Sequence, residues 1–353
     1  MPTFSGKLST NLIQSAIYNM IISQDIIGGS IHANYNLVDK ARVDGTLYGD
    51  TKLYYDVPTL VSTGWEQDSE TARNLLALHR PQPPKIQALT FGVYRQVALT
   101  KDDYLSKQAF GTEGAFSNYQ SVLDGRLNKT KEIYDNTTYD AFFGTVAPVV
   151  TKEIDLSSIT ATGEEKNRLR AQTIASDIAD LIDDMKDYRY TYTKNGFLRA
   201  FREDEIKVVW NAAYINKITM MDTPTIYHKD GLIGKMGGDK LPARFFGTVN
   251  SAETKGNATG TVCSLIEQTI GSNHYWAGEP IKATDTAPAG TSYTVDDKVI
   301  CKIYTKLPPY MSAFNVGTSF FNSRNLSTNM YQTWGHNVLE PLDSEALVTV
   351  KEK

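Results

Sequence analysis

The sequence predicts an α+β protein, one large domain with subdomains or two domains. Three observations carry this. Residues 164–188 hold an apolar stripe at helical spacing. Two long segments, about 30–61 and 86–99, alternate apolar and polar residues as strands do. Short, largely apolar runs read as strands: Ile206–Trp210 as a buried one and Val299–Tyr304 as another. A chain of 353 residues exceeds the usual domain length.

From the start of the chain, Leu12, Ile13, Ala16, Ile17, Met20 and Ile21 recur at helical spacing, and Gly28-Gly29 ends the pattern. This helix belongs either to the core or to an arm that docks on a neighbouring subunit. Residues 30–61 read as extended, with Leu47, Leu53, Tyr55 and Val57 between polar residues and a turn or bulge at Tyr48-Gly49-Asp50. A short helix is expected over 66–80, stopped by Pro81, Pro83 and Pro84. Residues 86–99 return as one strand, with Leu89, Phe91, Val93, Val97 and Leu99 on alternate positions. Two such strands cannot bury both faces against each other, so the excursion needs another surface.

A long helix is expected over 113–135, along Phe116, Tyr119, Leu123, Leu127 and Tyr134, with Gly125 marking a bend. Val146 to Ile159 read as strand. The helix over 164–188 has Thr162 or Gly163 at its cap, acidic residues in its first turn, and Leu169, Ile174, Ile178, Leu181, Ile182 and Met185 on its apolar side. Asp177, Asp180, Asp184 and Asp187 make an acidic face, either solvated or a strip for subunit contact. After the Ile206–Trp210 strand, Asn211 caps a helix. Residues 219–262 are loop-rich, and 314–331 are rich in Asn, Ser and Phe. A closing strand runs through Ala346, Val348 and Val350.

The chemistry that a catalyst would need is hard to find. Basic residues number 36 and acidic ones 40, a net charge of −4, which argues against a strongly basic nucleic-acid binder. Cys263 and Cys301 form neither a disulfide framework nor a zinc motif, so a reducing compartment is the default expectation. The five histidines are too far apart in sequence for a helical metal pair. Gly231-Leu232-Ile233-Gly234-Lys235-Met236 lacks the spacing and hydroxyl of a phosphate loop. Neighbouring acids such as Asp102-Asp103 and Asp296-Asp297 would point to opposite faces of a strand. No cofactor, metal or catalytic residue is expected. No signal peptide and no apolar run of about 20 residues is visible, so a soluble cytoplasmic protein is expected, without a membrane partner. Tyr (20) outnumbers Phe (13), a balance that suits contact surfaces where a ring is buried and a hydroxyl kept satisfied.

The order of these elements resembles the major capsid protein of tailed bacteriophages, the Hong Kong 97-type fold. The segment Val208-Val209-Trp210-Asn211-Ala212-Ala213-Tyr214-Ile215 is similar to the family's strand-then-helix in the axial domain. The closing Glu340-Pro341-Leu342 and Ala346-Leu347-Val348 are similar to its C-terminal strand. The resemblance implies an N-terminal arm (1–46), an extended hairpin or E-loop (47–99), a peripheral domain with a long spine helix (100–163 and 308–353) and an axial domain (164–307). It implies a structural protein that assembles with itself into hexamers and pentamers around double-stranded DNA, with no sequence-specific reading of it. Portal, scaffolding and decoration proteins would be its partners, and the virion, assembled in the host cytoplasm, its place. No Lys–Asn isopeptide pair of the kind some members use is identified.

The candidates for contact between subunits are Leu12, Ile17, Leu53, Tyr55, Phe91, Val93, Asp180 and Asp184. Two other readings remain open. One is an encapsulin-like nanocompartment shell of the same fold. The other is a polysaccharide-binding or polysaccharide-active protein, which would need paired carboxylates and aromatic platforms in one cleft.

Overall fold

The computed structural model describes residues 37–44, 51–60, 62, 78, 80–89, 93–102, 113–215, 238–250, 267–270, 273–276, 279–281 and 292–353. In chain order these form α1 (Leu37–Ala41), β1 (Arg42–Asp44), β2 (Lys52–Asp56), β3 (Lys85–Leu89), β4 (Val93–Asp102), α2 (Glu113–Thr145), β5 (Val150–Ile154), α3 (Glu164–Lys186) and β6 (Lys207–Asn211). There follow β7 (Asp239–Leu241), β8 (Gly247–Asn250), β9 (Glu267–Ile270), β10 (Asn273–Trp276), β11 (Glu279–Ile281), β12 (Ser292–Val295), β13 (Val299–Tyr304), β14 (Tyr310–Asn322), β15 (Ser327–Val338) and β16 (Leu347–Glu352).

The organising element is a five-stranded mixed sheet in the order β5-β16-β13-β6-β7. Helices cover both of its faces, which is why its strands read as continuous apolar runs. Val208 and Trp210 of β6, Cys301 and Ile303 of β13, and Val348 and Val350 of β16 pack with Ile174, Ile178, Leu181, Ile182 and Met185 of α3. Val209, Tyr304 and Leu347 pack on the other side with Tyr139, Phe142 and Phe143 of α2 and with Leu37, Val38 and Ala41 of α1. A register shift between Val299 and Cys301 sends the neighbours Ile300 and Cys301 into the same cluster.

The second sheet, β1-β14-β15-β4, packs on the middle of α2. Tyr134 meets Trp334 edge-on at 5.6 Å, with Val97 beside them. The Tyr310 hydroxyl donates to Asp135 Oδ1 at 2.6 Å, and Lys131 pairs with the other carboxylate oxygen at 2.8 Å. One helix therefore spans two sheets. The expected domain division runs through the five-stranded sheet, which takes β5 and β16 from one side of it and β6, β7 and β13 from the other.

Several expectations are corrected. The long helix continues ten residues past 135, through Asn136-Thr137-Thr138, because Tyr139, Ala141, Phe142 and Phe143 are buried there and packing overrides weak propensity. The single strand expected over 86–99 is two strands in different sheets, β3 paired with β2 and β4 paired with β15. The extended reading of 30–61 fails at Leu37–Ala41, a short helix whose apolar residues enter the core. The strand expected over 146–159 is confined to Val150–Ile154. Residues 314–331, left without an element, lie in the long β14–β15 hairpin. Its open half mixes polar residues with Phe320 and Phe321, which are exposed on opposite faces, so alternation gave no signal. Gly163 does precede α3, at a φ of 68° that glycine adopts without strain.

Candidate subunit-contact surface

The β2–β3 ribbon is the excursion's described part. Its register puts Leu53 opposite Ala88 and Tyr55 opposite Ile86, so these four share one face. That face is open: Leu53 is 49% exposed, Tyr55 62% and Ile86 55%. Val57 and Leu60, just beyond β2, are exposed as well.

The opposite face is anchored to the chain's own body. Leu89 is fully buried with Met311, Leu339 and Leu342, and Tyr54 packs against them. Gln87 accepts from the Asp343 backbone N–H at 2.8 Å. Lys85 Nζ donates to the Asn195 carbonyl at 3.2 Å and lies 5.3 Å from the centre of the Phe197 ring. Asp56, at the end of β2, is nearly buried, accepts from Asn195 Nδ2 at 2.5 Å and pairs with Arg199. The ribbon thus lies on its own subunit by one face only, and its own body supplies one of the surfaces that the sequence required. Asp56, Arg199 and Asn195 escaped sequence reasoning because their 139- and 143-residue separations leave no local pattern.

Among the other candidates, Val93 opens β4 opposite His336, in a different sheet from Leu53 and Tyr55. Leu12, Ile17 and Phe91 lie outside the described residues, as does most of the helix expected over 66–80. Asp180 and Asp184 are exposed on α3. Asp184 is already paired with Arg189 of its own chain at 2.9 Å, and Asp183 with Lys186 at 3.1 Å. Lys186 also reaches Glu203 at 3.2 Å, and these hydrogen bonds, Asp183 first, raise its pKa. The acidic strip is therefore partly neutralised from within.

Burial pushes the Cys301 thiol well above its ordinary range, which suppresses the thiolate. Tyr214 is pushed up to about 12, by burial first and then by its hydrogen bond to Glu352. Glu352 also takes both its oxygens to Arg170 at 2.7 Å. An open cavity of about 470 Å³ is lined by Glu205 and Glu345 with Phe201. Both carboxylates have local partners: Glu345 accepts from Thr305 Oγ1 at 2.7 Å, and Glu205 from the Arg202 N–H at 3.1 Å. Among the described residues no His, Cys, Asp and Glu cluster could hold a metal, and no helix is long and apolar enough to cross a membrane.

No family model matches the sequence, and no curated protein matches it. Solved structures do. The chain is similar to one in the capsid structure of Staphylococcus phage Andhra, with a TM-score of 0.57 and 10% identity over 85% of this chain and 80% of that one. It is similar to one in the structure of the head fiber and inner core protein gp22 of native bacteriophage P68, with a TM-score of 0.58 and 9% identity over 88% and 83%. Identity so low speaks to fold, and on that ground this α+β chain has the fold of a bacteriophage capsid protein.

Proposed function

We propose that this chain is the major capsid protein of a tailed bacteriophage, a structural subunit that assembles with itself into an icosahedral head around double-stranded DNA. One observation carries the reading: the likeness to the phage capsid structure extends over 85% of this chain and 80% of that one, so most of the chain follows a fold found in a shell. The ribbon supports it. A two-stranded element with one face docked and Leu53, Tyr55 and Ile86 bare on the other suits a contact completed by another copy. In this reading residues 1–46 form the arm and carry Leu12 and Ile17 to a neighbour. Residues 47–99 carry the E-loop and Phe91, with the β2–β3 ribbon as its described part, and Val93 begins the strand that joins the second sheet. The axial domain spans 164–307 together with β5 and β16, which complete its sheet, and the rest of 100–163 and 308–353 forms the peripheral one. Hexamers and pentamers form in the host cytoplasm, where portal, scaffolding and decoration proteins join them.

Negative-stain imaging and sedimentation of the purified full chain test this. Closed shells or capsomer rings are the expected result, and nuclease-protected DNA in particles from infected cells would complete it. Shells filled with a protein cargo would point to a nanocompartment. A 39.2 kDa monomer at every protein and salt concentration would overturn the reading.

A further inference from the structure

Lys302 lies in the middle of β13 with 3% of its surface exposed. Among the described residues no carboxylate lies within ion-pair distance of its ammonium. Its Nζ instead donates to the carbonyls of Phe143 at 2.8 Å and Val146 at 2.9 Å, and lies 5.7 Å from the centre of the Phe143 ring. These carbonyls belong to the last turn of α2 and the residue just beyond it. A helix leaves such groups without intrahelical donors, and its C-terminal dipole offsets only part of the cost of burying a cation there. The fit is tight. A Cβ on Gly144 would lie 1.8 Å from the Phe245 carbonyl oxygen, so in the closed junction the helix end lies hard against the Ala243–Phe245 turn.

Neutral carbonyls compensate a buried charge less well than a carboxylate does. We propose that Lys302 makes the junction between α2 and the five-stranded sheet proton-sensitive: the closed junction favours the neutral amine, and proton uptake drives the helix end away from β13. Burial lowers the lysine's pKa from 10.5 to about 7, in line with that geometry.

Its ionisable neighbours include two tyrosines and two carboxylates. Tyr304, two residues along β13, and Tyr139 of α2 are both raised, chiefly by burial, and stay neutral. Asp140 of α2 and Asp239 of β7 are the carboxylates that act on those two tyrosines, and Asp239 is paired with Lys40 of α1 at 2.5 Å. From β16 the residue opposite is Thr349, and from β6 it is Val209, neither of which ionises.

The sign follows from linkage. In the open junction the amine meets water and recovers its ordinary value of 10.5. Each unit fall in pH between 10.5 and about 7 then favours opening by about tenfold, and below that range the gain stops. The inference stands on this chain's own core and does not depend on shell formation.

Hydrogen exchange on the full unassembled chain tests it, at pH 7 and pH 9, with rates corrected for the intrinsic pH dependence. Peptides covering 139–149 and 299–306 should exchange more at pH 7, by at least tenfold, while a peptide within α3 shows no such change. Lys302→Met should abolish the difference. Corrected rates equal at the two pH values in the native chain would overturn the proposal, and so would a difference that survives in Lys302→Met. Should that variant fail to fold, the native comparison against the α3 peptide still decides.

Discussion

Gly144 sits where the end of α2 meets the 3-10 turn at Ala243–Phe245, and its missing side chain sets how close the two come. An alanine there would put a carbon 1.8 Å from a backbone oxygen, so the backbone itself must move. Gly144→Ala should cost about 3 kcal/mol, the upper end of overpacking penalties, measured as a lower urea midpoint at unchanged slope. A loss below about 0.5 kcal/mol would mean that the junction is looser than drawn. The same core sets the pH response. Cys301, Tyr139 and Tyr304 have raised pKa values, so the native chain holds their protons while the unfolded chain releases them above 9.0 for the thiol and 10.0 for the phenols. Their contribution is full below those values and is lost as pH rises. Lys302 acts oppositely, its contribution falling as pH drops from 10.5 towards about 7. Denaturation midpoints from pH 6 to 11 should therefore pass through a maximum near about pH 9, and Lys302→Met should flatten the acid limb alone. None of this was legible beforehand. Lys302 is a polar break in an apolar run, and its acceptors lie 159 and 156 residues away.

The ribbon gives the clearest contrast between two faces of one element. Leu89 is fully buried and Leu53 half exposed on strands that pair directly, Lys52 opposite Leu89 and Leu53 opposite Ala88. Leu89→Ala should destabilise the subunit by about 2–5 kcal/mol through lost burial and a cavity. Leu53→Ser with Tyr55→Ser should change subunit stability by less than about 1 kcal/mol, yet reduce the yield of assembled particles. If the double variant assembles normally, the open face is not a contact. Alternation identified Leu53 and Tyr55 as sharing a face, because period two is a property of any strand. It did not show that 90–92 separates two sheets, since Leu89 and Val93 continue the same alternation across the break. Helix α3 was legible almost to its ends because its whole apolar stripe meets one sheet face. Helix α2 was legible only to 135, since its buried side changes partner from Trp334 to the five-stranded sheet as it leaves the second sheet.

At the scale of the whole molecule, the question is which contacts would hold copies together. The candidates are the apolar ribbon face and the acidic face of α3. Exposed ion pairs contribute about 0–1 kcal/mol each and are screened by salt. Here the acidic face is also occupied, Asp184 by Arg189 and Asp183 by Lys186, so a neighbour's cation would have to displace an existing one. A buried large apolar side chain contributes roughly 1.5–3 kcal/mol before ordering is subtracted. Leu53, Tyr55 and Ile86 together therefore outweigh the strip, and charge is left with orientation and rate. The threshold concentration for assembly should then change by less than about tenfold between 0.1 and 1 M salt, while its approach to equilibrium slows as charges are screened. Asp180→Asn with Asp184→Asn should leave that threshold nearly unchanged. Light scattering against protein concentration, run at both salt levels on the native chain and on this variant, separates the two contributions. Particles that dissolve in high salt would assign the binding energy to charge and return the ribbon's open face to solvent.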